Sequence, residues 1–235
     1  MRTPPAHSNG IVAILDALGA ASYTDTEIDR FIESRTVVLG QLNEKAEGVL
    51  GEIRAEMIKT FTFNDTVLVI LNTGSEDPTL RRISQFFMIM RKFLVDSLAK
   101  RILFRGSIAI GTFYANDDTN TVMGQAVTDA AAWYDKADWI GVHTTPRTNL
   151  VINRCLEHEE TSKESVMLDY NVPLKNGQLF VRRRLIGLRS SSSRASDLAR
   201  LAQKKRRSLN FSRDIRCRGV RKPSSPIRLR FSIMP

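Results

Sequence analysis

Between residues 11 and 171 the hydrophobic period switches in a fixed order, and that order limits the chain to few folds. Residues 11–16 form a short apolar run ending in Asp16, with Gly19 close behind, the pattern of a buried strand entering a loop. Thr24-Asp25-Thr26-Glu27 is a capping box with Thr24 as N-cap. Ile28, Phe31, Ile32, Leu39, Leu42, Ala46 and Val49 then recur at helical spacing, and Gly48 and Gly51 are expected to bend or end that helix. Residues 57–63 and 66–71 are β-rich runs parted only by Asn64-Asp65, a hairpin signal. Asp77-Pro78 is predicted to cap a second helix with Leu80, Ile83, Phe87, Met90, Leu94 and Leu98 on one face, and residues 104–111 read as a strand.

The resulting order, β–α–β–β–α–β, matches the ferredoxin-like or split-βαβ plan, an α/β (α+β) fold whose first strand is central. A C-terminal α–β–α–β addition follows. A polar loop at 116–120 and a short strand at 121–123 lead to a helix opened by Gly124, with Val127, Ala130, Ala131 and Tyr134 on its apolar face. Then come a strand at 140–144, a helix at 146–159 and a last strand at 166–170. The expected organisation is an N-terminal extension over 1–9, a domain over 10–180 and a basic, disordered tail over 181–235.

Charge supports that division. The 235 residues carry a formal +10, but residues 181–235 hold 17 of the 35 Lys and Arg and only 2 of the 25 Asp and Glu, a net of +15. Residues 1–180 are left at −5. Two cysteines, Cys155 and Cys217, make neither a disulfide framework nor a four-cysteine zinc site, and His7, His143 and His158 are scattered. A reducing cytoplasm is the simplest compartment. No apolar run reaches the length of a membrane span, and Pro4, Pro5 and Asp16 spoil the loose signal-peptide pattern of Arg2 and residues 11–21.

Asp16 and Asp65 are singled out by position. One ends the predicted first strand; the other sits at the hairpin tip, and a central first strand lies beside one arm of that hairpin. The two carboxylates are therefore expected to face each other across one metal site, suited to hard Mg²⁺ or Mn²⁺ and completed by substrate phosphates. The small-residue loop 17–21 would let backbone N–H groups approach a triphosphate.

These residues resemble a family. Ile14-x-Asp16-x-x-Gly19, Phe63-Asn64-Asp65, Arg105-Gly106-Ser107-Ile108-Ala109-Ile110-Gly111 and Met123-Gly124-Gln125-Ala126-Val127 look like the ordered landmarks of class III nucleotidyl cyclase domains. The nearest likeness is to small stand-alone bacterial members, some of which make cyclic pyrimidine nucleotides in anti-phage signalling. The resemblance implies two divalent ions, Mg²⁺ or Mn²⁺, held at Asp16, Ala17 and Asp65. It implies a nucleoside triphosphate met by Ala17, Leu18, Gly19, Lys59 and Arg105, catalysis through Asp16 and Asp65, and a homodimer with the site at its interface. It depends on the order of landmarks more than on any one residue.

Departures are equally specific. Family members carry an Asn and, four residues later, an Arg on the helix after the Gly-x-x-Val motif; Thr128 and Ala132 stand there. The family's purine-reading Lys, four residues before the hairpin Asp, is Phe61 here, with Lys59 two residues further away. Either another Arg or Lys substitutes, or the domain is a degenerate nucleotide-binding or dimerisation module.

Each residue also has a plainer reading. Asp16 can cap a turn, and Asn64-Asp65 suits a hairpin tip without any function. Trp133, Tyr134 and Trp139 read as packing, His143 as a strand histidine, and Asp117-Asp118 lacks the rest of a calcium loop. The tail reads in three ways: an arm that binds nucleic acid, a frame-shifted read-through, or undefined disorder.

Overall fold

In the computed structural model the described residues are 7–51, 57–116, 119–158 and 167–186. In chain order they form β1 (Ser8–Ala17), a single 3₁₀ turn (Ala20–Ser22), α1 (Asp25–Leu50), β2 (Ile58–Phe63), β3 (Thr66–Gly74) and α2 (Leu80–Ala99). There follow β4 (Phe104–Asn116), β5 (Thr121–Met123), α3 (Gln125–Ala131), β6 (Gly141–Thr144), α4 (Pro146–His158), β7 (Met167–Pro173) and β8 (Leu179–Ile186).

The strands form one mixed sheet in the order β2-β3-β1-β4-β6-β8-β7, with β5 folded back on the far end of β4. Its first four strands have the expected split-βαβ arrangement. β1 is antiparallel to both neighbours, with Asp16 opposite Thr66 on β3 and opposite Arg105 on β4. β4 and β6 run parallel, which the α3 connection between them makes possible.

Alternation along β1 sends residues to two different cores. Ile11, Ala13, Leu15 and Ala17 join Phe31, Leu42, Phe86, Phe87, Met90 and Ile152 beneath α1, α2 and α4. Val12 and Ile14 join Phe61, Ile70, Ala109, Phe113, Ala126 and Ala130 beneath α3. A strand buried on both faces must be apolar almost throughout, as residues 11–15 are.

Local signals account for most boundaries. The Glu27 carboxylate accepts from the Thr24 N–H at 2.9 Å and its hydroxyl at 3.0 Å, closing the start of α1. Gly51 ends that helix at φ +84°. Asn64 turns the β2–β3 hairpin at φ +53°.

Two expectations are corrected. The cap of α2 is Thr79, whose hydroxyl accepts the Arg82 N–H at 3.4 Å, rather than Asp77-Pro78. Asp77 is engaged by the Asn9 side-chain amide at 3.2 Å, which ties this loop to the start of β1. The strand at 166–170 is not the last. It runs as Met167–Pro173 into a tight turn at Asn176-Gly177, where Gly177 has φ +81°, and β8 returns alongside it. Regular structure thus continues through Arg182 to Ile186, six residues past the compositional break at 180. Asp117 and Asp118 and the three readings of the basic tail beyond Ile186 lie outside the described residues.

Gly106, on β4 beside Arg105, lets two strands approach closely. A Cβ built there would stand 2.2 Å from the Ile14 carbonyl oxygen, a backbone atom that cannot swing aside. Gly106→Ala is therefore expected to destabilise the domain by about 2 kcal/mol or more, read as a lowered midpoint in urea unfolding. Gly48→Ala, at a helical position with open space around the added methyl, is the control and should be neutral or slightly stabilising.

Candidate active site

Asp16 is the last sheet-paired carboxylate of β1 before the chain leaves for the Gly19 turn, at φ +86°. Its position two residues beyond Ile14 puts it on the face of the sheet that carries α3, and the same parity holds for Arg105 and Ser107 on β4. Arg105 donates from Nε at 3.0 Å and from Nη2 at 2.8 Å to one oxygen, Oδ2 of Asp16. The two side chains are only 19% and 16% exposed, so the pair is largely removed from solvent. No hydrogen bond to the other oxygen, Oδ1, occurs among the described residues.

The hairpin tip closes on the end of β1. The Ala17 N–H donates to the Asp65 carbonyl at 3.1 Å, and the Leu18 N–H to the Leu103 carbonyl at 2.7 Å. The backbone of Asp65 is thus beside Ala17, one residue from the Thr66 that stands opposite Asp16. The Ala17 and Leu18 amides, two of those that the sequence offers to a phosphate, are spent on the backbone. Arg35, on α1, donates to the Asn64 carbonyl and lies 5.3 Å over the Phe31 ring, fixing the tip from the helix side.

Lys59 stands apart from this cluster. It pairs with Ile70, which lies opposite Val12, four levels along the sheet from Asp16. Four levels at the usual rise and two strand spacings separate the two residues by about 16 Å. Phe61, between them on the same face, is buried.

Tyr134 packs against the core beneath α3, as its helical spacing predicts, and its phenol also feels the charges at the end of β1. The Ala130 carbonyl accepts the Ser107 hydroxyl at 2.7 Å and the Tyr134 N–H at 3.0 Å, so the turn after α3 is pinned over β4 near Arg105. The Tyr134 phenol is pushed above its ordinary value of 10.0, first by burial, then by Asp135, Asp16 and Asp65, with Arg105 opposing. Tyr23, after the Gly19 turn, is raised by burial, Glu27 and Asp65. The sequence did hold a signal for Tyr134: Ala126, Ala130 and Tyr134 are spaced by four, on one line over the sheet.

Three other readings fall in place as packing. Trp133 meets His143 edge-on at 6.5 Å, with the Lys136 ammonium 4.8 Å over its ring. Trp139 packs against Ala137 and Val172. His143 is a buried residue of β6.

The donor chemistry suits a hard divalent ion. The carboxylates of Asp16 and Asp65 and the backbone oxygens at the end of β1 would offer oxygen donors to such an ion, with positions left for water and phosphate. No cluster of three or more His, Cys, Asp or Glu side chains exists among the described residues, so an all-protein cage is not what the site provides.

The direction of the Tyr134 shift has a consequence for stability. A phenol whose folded pKa is raised keeps its contribution below about pH 10 and loses it as pH rises through the folded value. Tyr134→Phe should flatten part of the loss of stability above about pH 10, measured by urea unfolding at a series of pH values.

No protein-family profile matches this chain, and no curated protein matches it. Among solved structures it is similar to the adenylyl cyclase CyaB from P. aeruginosa, at TM-score 0.46 and 13% identity, over 78% of this chain and 94% of that one. It is also similar to the guanylyl cyclase Cya2, at TM-score 0.47 and 11% identity, over 81% and 98% of the two chains. A third is the catalytic core of a rhodopsin–guanylyl cyclase with converted specificity in complex with ATPαS, at TM-score 0.48 and 12% identity, over 77% and 99%.

Proposed function

We propose that the domain is a nucleotidyl cyclase, converting a nucleoside triphosphate to a 3′,5′-cyclic nucleotide and pyrophosphate with Mg²⁺ or Mn²⁺. The observation that supports this reading is the backbone bond from Ala17 to Asp65 at the end of β1, where Asp16 precedes a glycine turn and pairs with a largely buried arginine. It gives physical form to the landmarks whose order resembles the class III cyclases. A carboxylate pair with a nearby cation is suited to in-line displacement at phosphorus, where charge develops on oxygens.

In this reading Asp16 and Asp65, with the Ala17 carbonyl, hold two metal ions. Bound there, such ions supply a more acidic ribose 3′-hydroxyl and neutralise the phosphate oxygens. The amides of Gly19, Ala20 and Ala21 meet the phosphates, Arg105 balances negative charge on them, and Lys59 and Phe61 meet the base. Phe61 in place of a purine-reading lysine favours a pyrimidine, and with it the anti-phage role of the stand-alone relatives that the sequence resembles. A homodimer with its site at the interface, working in the cytoplasm, completes the proposal.

A second reading is favoured by one specific observation. Thr128 and Ala132, where the family carries its transition-state Asn and Arg, are both exposed on or just after α3 and bear no charge. A domain built so would bind the metal–nucleotide complex without turning it over. The nucleic-acid reading depends on the tail and draws nothing from the described residues.

The decisive measurement incubates the full chain with Mn²⁺ and each of the four nucleoside triphosphates, with product identified by mass spectrometry. One cyclic nucleotide, released with pyrophosphate, is expected from UTP or CTP. Asp65→Ala should lower the rate by about a hundredfold or more, the several kcal/mol that a metal clamp contributes. Calorimetric binding without product supports the second reading; neither binding nor product refutes both.

A further inference from the structure

The Asp16–Arg105 pair is more than a neighbour of the proposed metal site, because it uses one of the carboxylates on which that site depends. Arg105 is the register partner of Asp16 on the adjoining strand, and both of its bonds end on Oδ2. The pair is largely buried, and a guanidinium so placed cancels most of the charge that would draw in a bare cation. Asp16, Asp65 and Arg105 together carry one net negative charge rather than two.

A triphosphate changes that balance. It carries several negative charges and presents oxygens that a guanidinium can grip in a two-point contact, so Arg105 gains more from phosphate than from one carboxylate oxygen. The Arg105 side chain retains 19% of its surface in solvent, and the pairing of β4 with β1 is carried by the backbone rather than by this side chain.

We propose that Arg105 is a positioning residue that exchanges partners, held by Asp16 until a triphosphate arrives and then passing to it. The site accordingly takes up a divalent ion together with the triphosphate and binds the bare ion weakly. This rests on reading Asp16 and Asp65 as metal-holding residues, and it adds an order of events to that reading. The opposite role is equally definite: an arginine that merely orients Asp16, leaving Oδ1 for the ion, would strengthen metal binding.

The test uses the full chain, Mn²⁺ as the metal probe and inorganic tripolyphosphate as a probe that carries no base. Free Mn²⁺ is followed by electron paramagnetic resonance, so no step depends on turnover. Arg105→Gln should bind Mn²⁺ alone about tenfold more tightly, as expected for removing one unit charge close to the ion, and the Mn²⁺–tripolyphosphate complex about tenfold more weakly. Arg105→Lys keeps the charge without the two-point contact; it should weaken binding of the complex while moving bare-ion affinity less. These opposite changes are what a merely structural residue would not produce.

If Arg105→Gln, folded by circular dichroism, binds bare Mn²⁺ equally or more weakly, the exchange is overturned and Arg105 only orients Asp16. If Arg105→Gln does not fold, Arg105→Lys decides the matter, and a bare-ion affinity that falls as far as that of the complex overturns the proposal. Asp16→Asn and Asp65→Asn separate this outcome from failure of the site itself. Unchanged Mn²⁺ binding in both overturns the metal site, and the exchange falls with it.

Discussion

Everything near the site depends on β1 being hydrogen-bonded along both edges and buried on both faces. Such a strand has no freedom to shift, since a slip of one residue would exchange its two apolar sets. Asp16 inherits that rigidity. It is the place where the apolar run 11–15 gives way to a charge, and Arg105 opposite it on β4 meets the cost of desolvating that charge. Gly106, next along β4, allows the close approach of the strands that puts the guanidinium there.

The two faces of the sheet are covered unequally. α1, α2 and α4 pack on one side, whereas the other has α3, seven residues and about 10 Å long. Four strands side by side span about 19 Å between the outer pair's far edges, so α3 cannot shield them all. The consequence is visible at the hairpin: Phe61 is buried, while Phe63, two residues on along the same face, is 76% exposed. Asp16 and Arg105 are on this thinly covered face. A triphosphate, and a second protein surface over it, have room there that the helical side denies them.

What was legible in the sequence was what local chemistry writes down. The capping box at Thr24, the two-residue hairpin at Asn64-Asp65 and the double-sided apolar run of β1 each carry their own mechanism, and the order of elements followed from them. The placement of Asp16 beside the hairpin tip came from that order. What failed had a competitor nearby. Asp77-Pro78 looked like a cap, but Asn9 from β1 claims the Asp77 side chain, a partner 68 residues away. β8 was obscured by its own arginines, which were read as the start of a tail even though Asn176-Gly177 is a strong turn signal. The bond between Arg105 and Asp16 and the closeness of Tyr134 to both were out of reach for another reason. Alternation fixes which face a side chain takes, but the bond needs cross-strand register and the nearness of Tyr134 needs the Ser107 bond to Ala130.

Charge then constrains how the site can work. Whole-chain basicity suggests an anionic partner, but residues 1–180 are at −5 and the site has two carboxylates against one guanidinium. A triphosphate brought to that surface alone would be repelled by Asp16 and Asp65, and the single Arg105 cannot neutralise both acids and phosphates at once. A bare divalent ion would be held back by Arg105. Only the neutralised pair, ion and triphosphate together, meets complementary charge at every position: carboxylates toward the ion, guanidinium toward the phosphates. On the proposed reading the same residues would make the site poor at binding either component alone and selective for their complex.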